Sequence, residues 1–385
     1  MIRFSAKTEV LISDDLQGDV LALLAEEKIR NVGLLIDNNV VHITTIQKLI
    51  DELESVTKIY PRFFNSFEPT TSLVDEVTAH YRPNNIDFFI GIGGGSIIDL
   101  TKAVSAMVVN PGSVEDYHGT GKPVIRAVRK MMIPTTAGTG SEVTSGAVLV
   151  NERTAFKRGL SSACIAPEFA LLCASLTTTM PDHITASTGM DALGHAIESY
   201  TAKNSNAITR MYSREAFKLV FNNLHKVFND RSNLSLRSNI LLGANLAGFA
   251  IYNSNTGAGH SLAYPTGIYH KVPHGLAVAL VLPQVIRINF EKGCNLYADL
   301  YDCIEESDKN IHDPTQKSRL FCERLQNHTA MNYLGKEFGD FGINKTNYEF
   351  LAERGLDLTS ALSNNPVDFN IVDAKRVLNN LVSVK

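Results

Sequence analysis

The feature that most limits how this chain can fold is a change of periodicity partway along it. Between residues 31 and 142, short β-rich runs alternate with amphipathic helical stretches. NVGLLID (31–37) precedes a helical pattern from about Thr44 to Leu53, with Ile46, Leu49, Ile50 and Leu53 at helical spacing. TKIYPRFF then leads to SLVDEVTAHYR, IDFFIGIGGGS to IIDLTKAVSAMV, and RKMMIP to a polar, glycine-containing loop. Such alternation predicts a parallel sheet covered by helices on both faces. From about Pro181 strand signals nearly vanish and long helical patterns take over, as in TASTGMDALGHAIESYTA and SNILLGANLAGFAIYNS. The expected organisation is an α/β domain over 1–180 and an all-helical domain over 181–385, divided near Met180-Pro181-Asp182. No low-complexity linker or internal repeat intervenes, so the halves are expected to pack directly and leave a ligand cleft between them.

A chain of 385 residues exceeds one simple core, which agrees with two domains. Its 36 basic and 40 acidic residues leave a net charge of −4, which gives no general attraction to nucleic acid or anionic membranes. Five widely spaced cysteines without a CxxC pair point to reduced thiols in a cytoplasmic protein. Neither a signal-peptide core nor an uncharged stretch of membrane-spanning length is evident.

Gly93-Gly94-Gly95-Ser96 follows an apolar strand and opens a helix, where free N–H groups favour phosphate and glycine lets a ligand approach the backbone. The spacing departs from GxGxxG, and a tight turn without a ligand would look similar. Asp37 ends the first clear β-run, where a carboxylate can accept from ribose hydroxyls and repel a 2′-phosphate, favouring NAD over NADP. The run Pro134 to Glu142, PTTAGTGSE, offers small hydroxyl residues and glycines suited to lining a nucleotide.

Asp191 and His195 stand four apart in a helical pattern and project from one face, so both can reach one ion. An Asp–His hydrogen bond is the bland alternative. In GHSLAYPTGIYHKVPHG, Pro265, Gly267 and Pro273 separate His260, His270 and His274, so no single straight helix is expected there. A helix end, a loop and a new helix start would bring distant imidazoles together. One carboxylate and three imidazoles suit Fe2+ or Zn2+ equally. An alcohol held at such an ion loses its proton more readily, as zinc-bound water does with a pKa of about 7.

GGGSIIDLTKAV, IPTTAGTGSEVT, GMDALGHAIESY and GHSLAYPTGIYHKVPHGLAVALVLPQV together resemble the iron-containing (type III) alcohol dehydrogenases, along nearly the whole chain. The resemblance implies a dinucleotide-binding α/β domain followed by an all-helical metal domain, and commonly a dimer or larger homo-oligomer. It implies a metal held by Asp191, His195, His260 and His274. Implied NAD contacts are Asp37, Gly94, Gly95, Ser96, Asp99, Thr135, Thr136, Thr139, Ser141 and Lys157. Glu68 stands where the family usually has Asn before Pro-Thr. Tyr264 replaces a histidine thought to relay the alcohol proton, so Tyr264 and His270 become the candidate catalytic groups. Cys173-Ala174 replaces an acidic residue and proline.

The expected activity is reversible NAD-linked oxidation of a primary alcohol, or reduction of its aldehyde. Tyr264, His270, Lys271, Glu68 and Arg158 are polar for an alkyl-alcohol pocket. They favour a hydroxylated or anionic substrate, such as a sugar acid of the 3-deoxy-octulosonate kind. The rivals are a non-redox lyase or a glycerol-dehydrogenase-like enzyme of the same architecture, a simple short-chain alcohol dehydrogenase, and a binding protein that has lost catalysis.

Overall fold

A computed structural model describes residues 4–65, 68–123, 125–153 and 156–382. Contacts divide it into two units. One comprises Ala6–Thr136 and Gly140–Thr179; the other comprises Met180–Lys385 together with the N-terminal residues through Ser5 and Ala137–Thr139. The short piece Ala137–Thr139 therefore departs from a continuous 1–180 domain.

The first unit is built on β1 (Glu9–Ile12), β2 (Asn31–Asp37), β3 (Lys58–Phe64), β4 (Phe88–Gly93), β6 (Arg129–Pro134) and β9 (Phe169–Leu172). They form one sheet in the order β1-β9-β6-β4-β2-β3, every pairing parallel. A small second sheet joins β5 (Gly119–Thr120), β7 (Gly146–Asn151) and β8 (Phe156–Ser161), with β7 and β8 antiparallel. Adjacent strand residues serve opposite faces. Leu34 and Phe88 join a core with Leu16, Val20, Ile46 and Leu49, from α1 (Leu16–Glu26) and α2 (Thr44–Val56). Leu35 and Phe89 join another with Val74, Val77, Leu100 and Val104, from α3 (Thr71–Tyr81) and α4 (Gly95–Met107). Helices thus cover both faces, as period-two burial of a parallel sheet requires. The chain runs outward from β2 to β3, then returns to the other side of β2 as β4. The topological switch point, where open α/β sheets bind ligands, lies between the carboxyl ends of β2 and β4.

The second unit is helical: α5 (Asp182–Thr201), α6 (Ala207–Val227), α7 (Leu234–Ser254), α8 (Ala258–His270) and α9 (His274–Glu291) are followed, among the described residues, by five further α-helices from Tyr297 to Val382. By length and composition α7 could cross a membrane, but more than half of its apolar window is buried. It packs against α5 and α6. Its Arg237 is buried too, donating to the Arg231 carbonyl at 2.9 Å and to Thr185 Oγ1 at 3.1 Å.

Candidate metal and dinucleotide sites

The buried middle of α5 carries Asp191 and His195 one turn apart. His260 stands near the start of α8, and His274 opens α9. The helix α8 runs through Pro265 and Gly267 and ends only at His270. There Lys271 adopts a left-handed conformation (φ 59°) and donates to the carbonyls of Gly267 and Thr266. A short link then places Pro273 ahead of α9, so the chain reverses between His260 and His274 at Lys271 rather than at Pro265.

Three imidazole nitrogens face one oxygen. His260 Nε2 lies 3.4 Å from Asp191 Oδ1, His274 Nε2 3.7 Å and His195 Nε2 3.9 Å. Ligands about 2.0–2.1 Å from a tetrahedral ion sit roughly 3.4 Å from each other, so the spacing suits a shared cation. Asp191 Oδ1 and His260 Nε2 are buried and have no hydrogen-bond partner among the described residues. A buried carboxylate oxygen and a buried ring nitrogen left this way are costly, and a metal ion satisfies both. The rings of His195 and His260 stack at 4.5 Å, and Tyr264, one turn beyond His260 on α8, sets its ring 5.2 Å from that of His274.

The electrostatics agree. Burial alone would raise the Asp191 carboxyl, but the imidazoles of His195, His260 and His274 outweigh it and hold the carboxyl well below the usual range. Burial opposes charge on His260, yet the Glu198 and Asp191 carboxylates lift it to about 9. His195 is pushed down, chiefly by burial. Glu198, absent from the sequence expectations, accepts from Gly259 N–H at 2.6 Å and faces His260 Nδ1 at 2.5 Å. It lies three residues after His195 and seven after Asp191, on the same helix stripe, and that spacing could have revealed it. His270 instead turns Nδ1 to the Phe341 carbonyl at 3.0 Å.

In the other unit, Asp37 closes β2 beside the glycine loop that ends β4; a Cβ on Gly93 would lie 3.1 Å from the Asp37 Cβ. Both flank the switch point. No side chain caps Gly94 at the start of α4, and Gly94, Gly95 and Ser96 are only half-buried. Open N–H groups there suit a pyrophosphate. Thr135 N–H donates to the Gly93 carbonyl at 3.0 Å, and a Cβ on Gly94 would meet Thr136 at 3.4 Å, so the two loops adjoin. Asp37 Oδ1 already accepts from Asn39 N–H (2.9 Å) and Asn39 Nδ2 (2.8 Å), the turn-type contact that such an aspartate makes without a ligand.

Asp99 is turned inward. It accepts from Ser141 Oγ, from Val148 N–H at 2.9 Å and from the buried Lys102 ammonium at 2.9 Å. Asp99 and Ser141 therefore brace the loop as placed, around a lysine the sequence reading missed although it sits one turn after Asp99. Thr139 groups with the helical unit. Lys157 and Arg158 lie on β8, but their side chains fall outside the described residues. Glu68 is exposed.

Comparison with known proteins shows the family and the fold. Residues 8–173 match the family described as iron-containing alcohol dehydrogenase, and 185–382 match the Fe-containing alcohol dehydrogenase family, C-terminal. Long-chain-alcohol dehydrogenase 1 of Geobacillus thermodenitrificans (strain NG80-2) is 30% identical over 313 residues, covering 80% of this chain and 78% of that protein. A crystal structure of 1,3-propanediol oxidoreductase superposes with a TM-score of 0.91 at 25% identity, covering 98% of this chain and 99% of the other. Sulfoacetaldehyde reductase from Bifidobacterium kashiwanohense, solved in complex with NAD+, gives 0.88 at 26% identity, with both chains fully covered. The chain belongs to the iron-containing alcohol dehydrogenase family: it is an oxidoreductase acting on CH–OH groups, with NAD and a divalent metal as cofactors.

Proposed function

We propose that this chain interconverts a primary alcohol and its aldehyde, the alcohol carrying a hydroxyl or anionic group, as a sugar acid of the 3-deoxy-octulosonate kind does. The observation that carries the metal-dependent part is the buried Asp191 Oδ1 faced by three ring nitrogens and lacking a hydrogen-bond partner among the described residues. Asp191, His195, His260 and His274 would hold Fe2+ or Zn2+. When bound, the ion supplies Lewis acidity that makes an alcohol oxygen easier to deprotonate.

The remaining work falls to side chains and backbone. Tyr264, on the His260 face of α8 and against the His274 ring, takes and releases the alcohol proton through its hydroxyl. It does so in preference to His270, which sits elsewhere around the helix and whose Nδ1 faces the Phe341 carbonyl. Gly94, Gly95 and Ser96 receive the pyrophosphate of NAD, with Thr135 and Thr136 alongside, and Asp37 receives ribose hydroxyls by giving up its contact with Asn39. A polar substrate is supported by Tyr264 and Lys271, and by relatives named for 1,3-propanediol and sulfoacetaldehyde. The five cysteines, none of them in a disulfide among the described residues, support a reducing compartment, the cytoplasm, and the family resemblance supports a homodimer.

The test is an NADH-absorbance screen across simple alcohols, diols, sugar acids and sulfonate-bearing alcohols. Turnover favouring hydroxylated or anionic substrates is expected, and a clear preference for long alkyl alcohols would overturn the substrate assignment. Tyr264→Phe should lower kcat at neutral pH by about 100-fold or more, within the range ascribed to positioned acid–base groups. Undiminished turnover would remove Tyr264 from the proton path.

A further inference from the structure

We infer that Glu198 is a positioning residue of the metal centre: its carboxylate dictates which ring nitrogen of His260 carries hydrogen, and so sets the affinity for the ion. The inference rests on the metal reading above. Both Glu198 oxygens are engaged, Oε1 by Gly259 N–H at 2.6 Å and Oε2 by His260 Nδ1 at 2.5 Å, and all three residues are buried. An ionised carboxylate only accepts, so His260 donates from Nδ1, and the neutral ring then presents the Nε2 lone pair. That lone pair faces Asp191 Oδ1 at 3.4 Å, where two acceptors cannot bond each other and a cation can bridge them.

The surrounding residues are shaped to admit this carboxylate. A Cβ on Gly259 would come within 2.8 Å of Glu198 Oε1, and one on Gly257 within 3.0 Å. Glycine at both positions lets the start of α8 close onto α5. His195 shows the contrast, for its Nδ1 faces the Gly138 carbonyl, at 3.4 Å. A charged partner makes an imidazole a stronger donor to metal than a peptide carbonyl does, and fixes its orientation.

Glu198→Gln keeps the shape but supplies an amide N–H2 that can face Nδ1, selecting the form of His260 whose Nε2 bears hydrogen and blocks the ion. Holoenzyme and this variant are incubated with a graded chromophoric chelator, and retained metal is measured. The variant should lose metal at a ten- to hundredfold lower chelator concentration, the span typical of such partners. Its helical circular dichroism and NAD binding should stay as in the parent. Loss at the same concentration within twofold, with the fold intact, overturns the proposal.

A second readout needs no variant. In zinc-loaded protein the His260 Nδ1 proton should appear in a proton–nitrogen spectrum as a downfield, slowly exchanging signal. Its absence also overturns the assignment. Parent protein that binds no metal sinks the metal reading and this inference with it. Parent protein that binds metal no better than Glu198→Gln sinks only the role of Glu198.

Discussion

Asp191 and His260 show what a spacing can reveal and what it cannot. The i, i+4 pair Asp191 and His195 is legible because helix geometry alone puts both on one face. The union of His260 and His274 with that pair depends on tertiary packing, and only the family resemblance chose them over His270. Gly194 belongs to the same packing, since a Cβ there would meet Val278 Cγ1 at 2.9 Å and His260 Cε1 at 3.2 Å. Gly194→Ala should therefore lower stability by about 1–3 kcal/mol and weaken metal retention together, measured by denaturant unfolding and chelator challenge. Normal values of both would show that α5 and α8 have slack at the ligands. Asp99 carries a different lesson: the family resemblance implies a cofactor contact there, and its carboxylate also takes the buried Lys102 and Ser141. A carboxylate's neighbours decide its use, and while Lys102 is one turn away on α4, Ser141 and Val148 come from segments remote in sequence.

At the scale of elements, β2, α2, β3, α3, β4, α4 and β6 were legible because their apolar runs and periods are unmixed. The strands β1, β7 and β9 were not, because four to six residues without a clear alternation carry little signal. Pro265 misled for a physical reason: proline costs one backbone hydrogen bond but does not forbid a helix that packing holds on both sides. The helix stops at Lys271, a non-glycine residue with φ 59°. Lys271→Gly should raise stability by roughly 0.5–1 kcal/mol, read from the urea midpoint, because glycine adopts this conformation without a Cβ penalty. A lowered midpoint would mean the lysine side chain holds the α8–α9 link.

His328, which caps the turn after α11 (Pro314–Gln326), gives a pH prediction. Burial, helped by the nearby His225 and opposed by its bond to the Phe221 carbonyl, depresses it to about 4 from 6.5. Between those values the unfolded chain binds a proton that the folded one refuses, so stability falls as pH drops from 6.5 toward 4. The loss amounts to up to about 3 kcal/mol. Unfolding measured across that range should show this slope, and His328→Gln should flatten it. An unchanged slope in the variant would place the acid sensitivity elsewhere.

At the scale of the whole molecule, the change of periodicity near Pro181 separates a sheet that presents backbone N–H groups from helices that present imidazoles. That division follows from what each chemistry needs: open helix starts for phosphate, and stacked buried faces for metal ligands. The central claim is that Asp191 gathers the ion on which alcohol oxidation depends. Metal content per chain, determined on the purified protein and on Asp191→Asn, tests it most directly. About one divalent ion per chain is expected in the parent and almost none in the variant, whose NAD reduction should fall with it. An Asp191→Asn protein that keeps a full complement of metal would contradict the account.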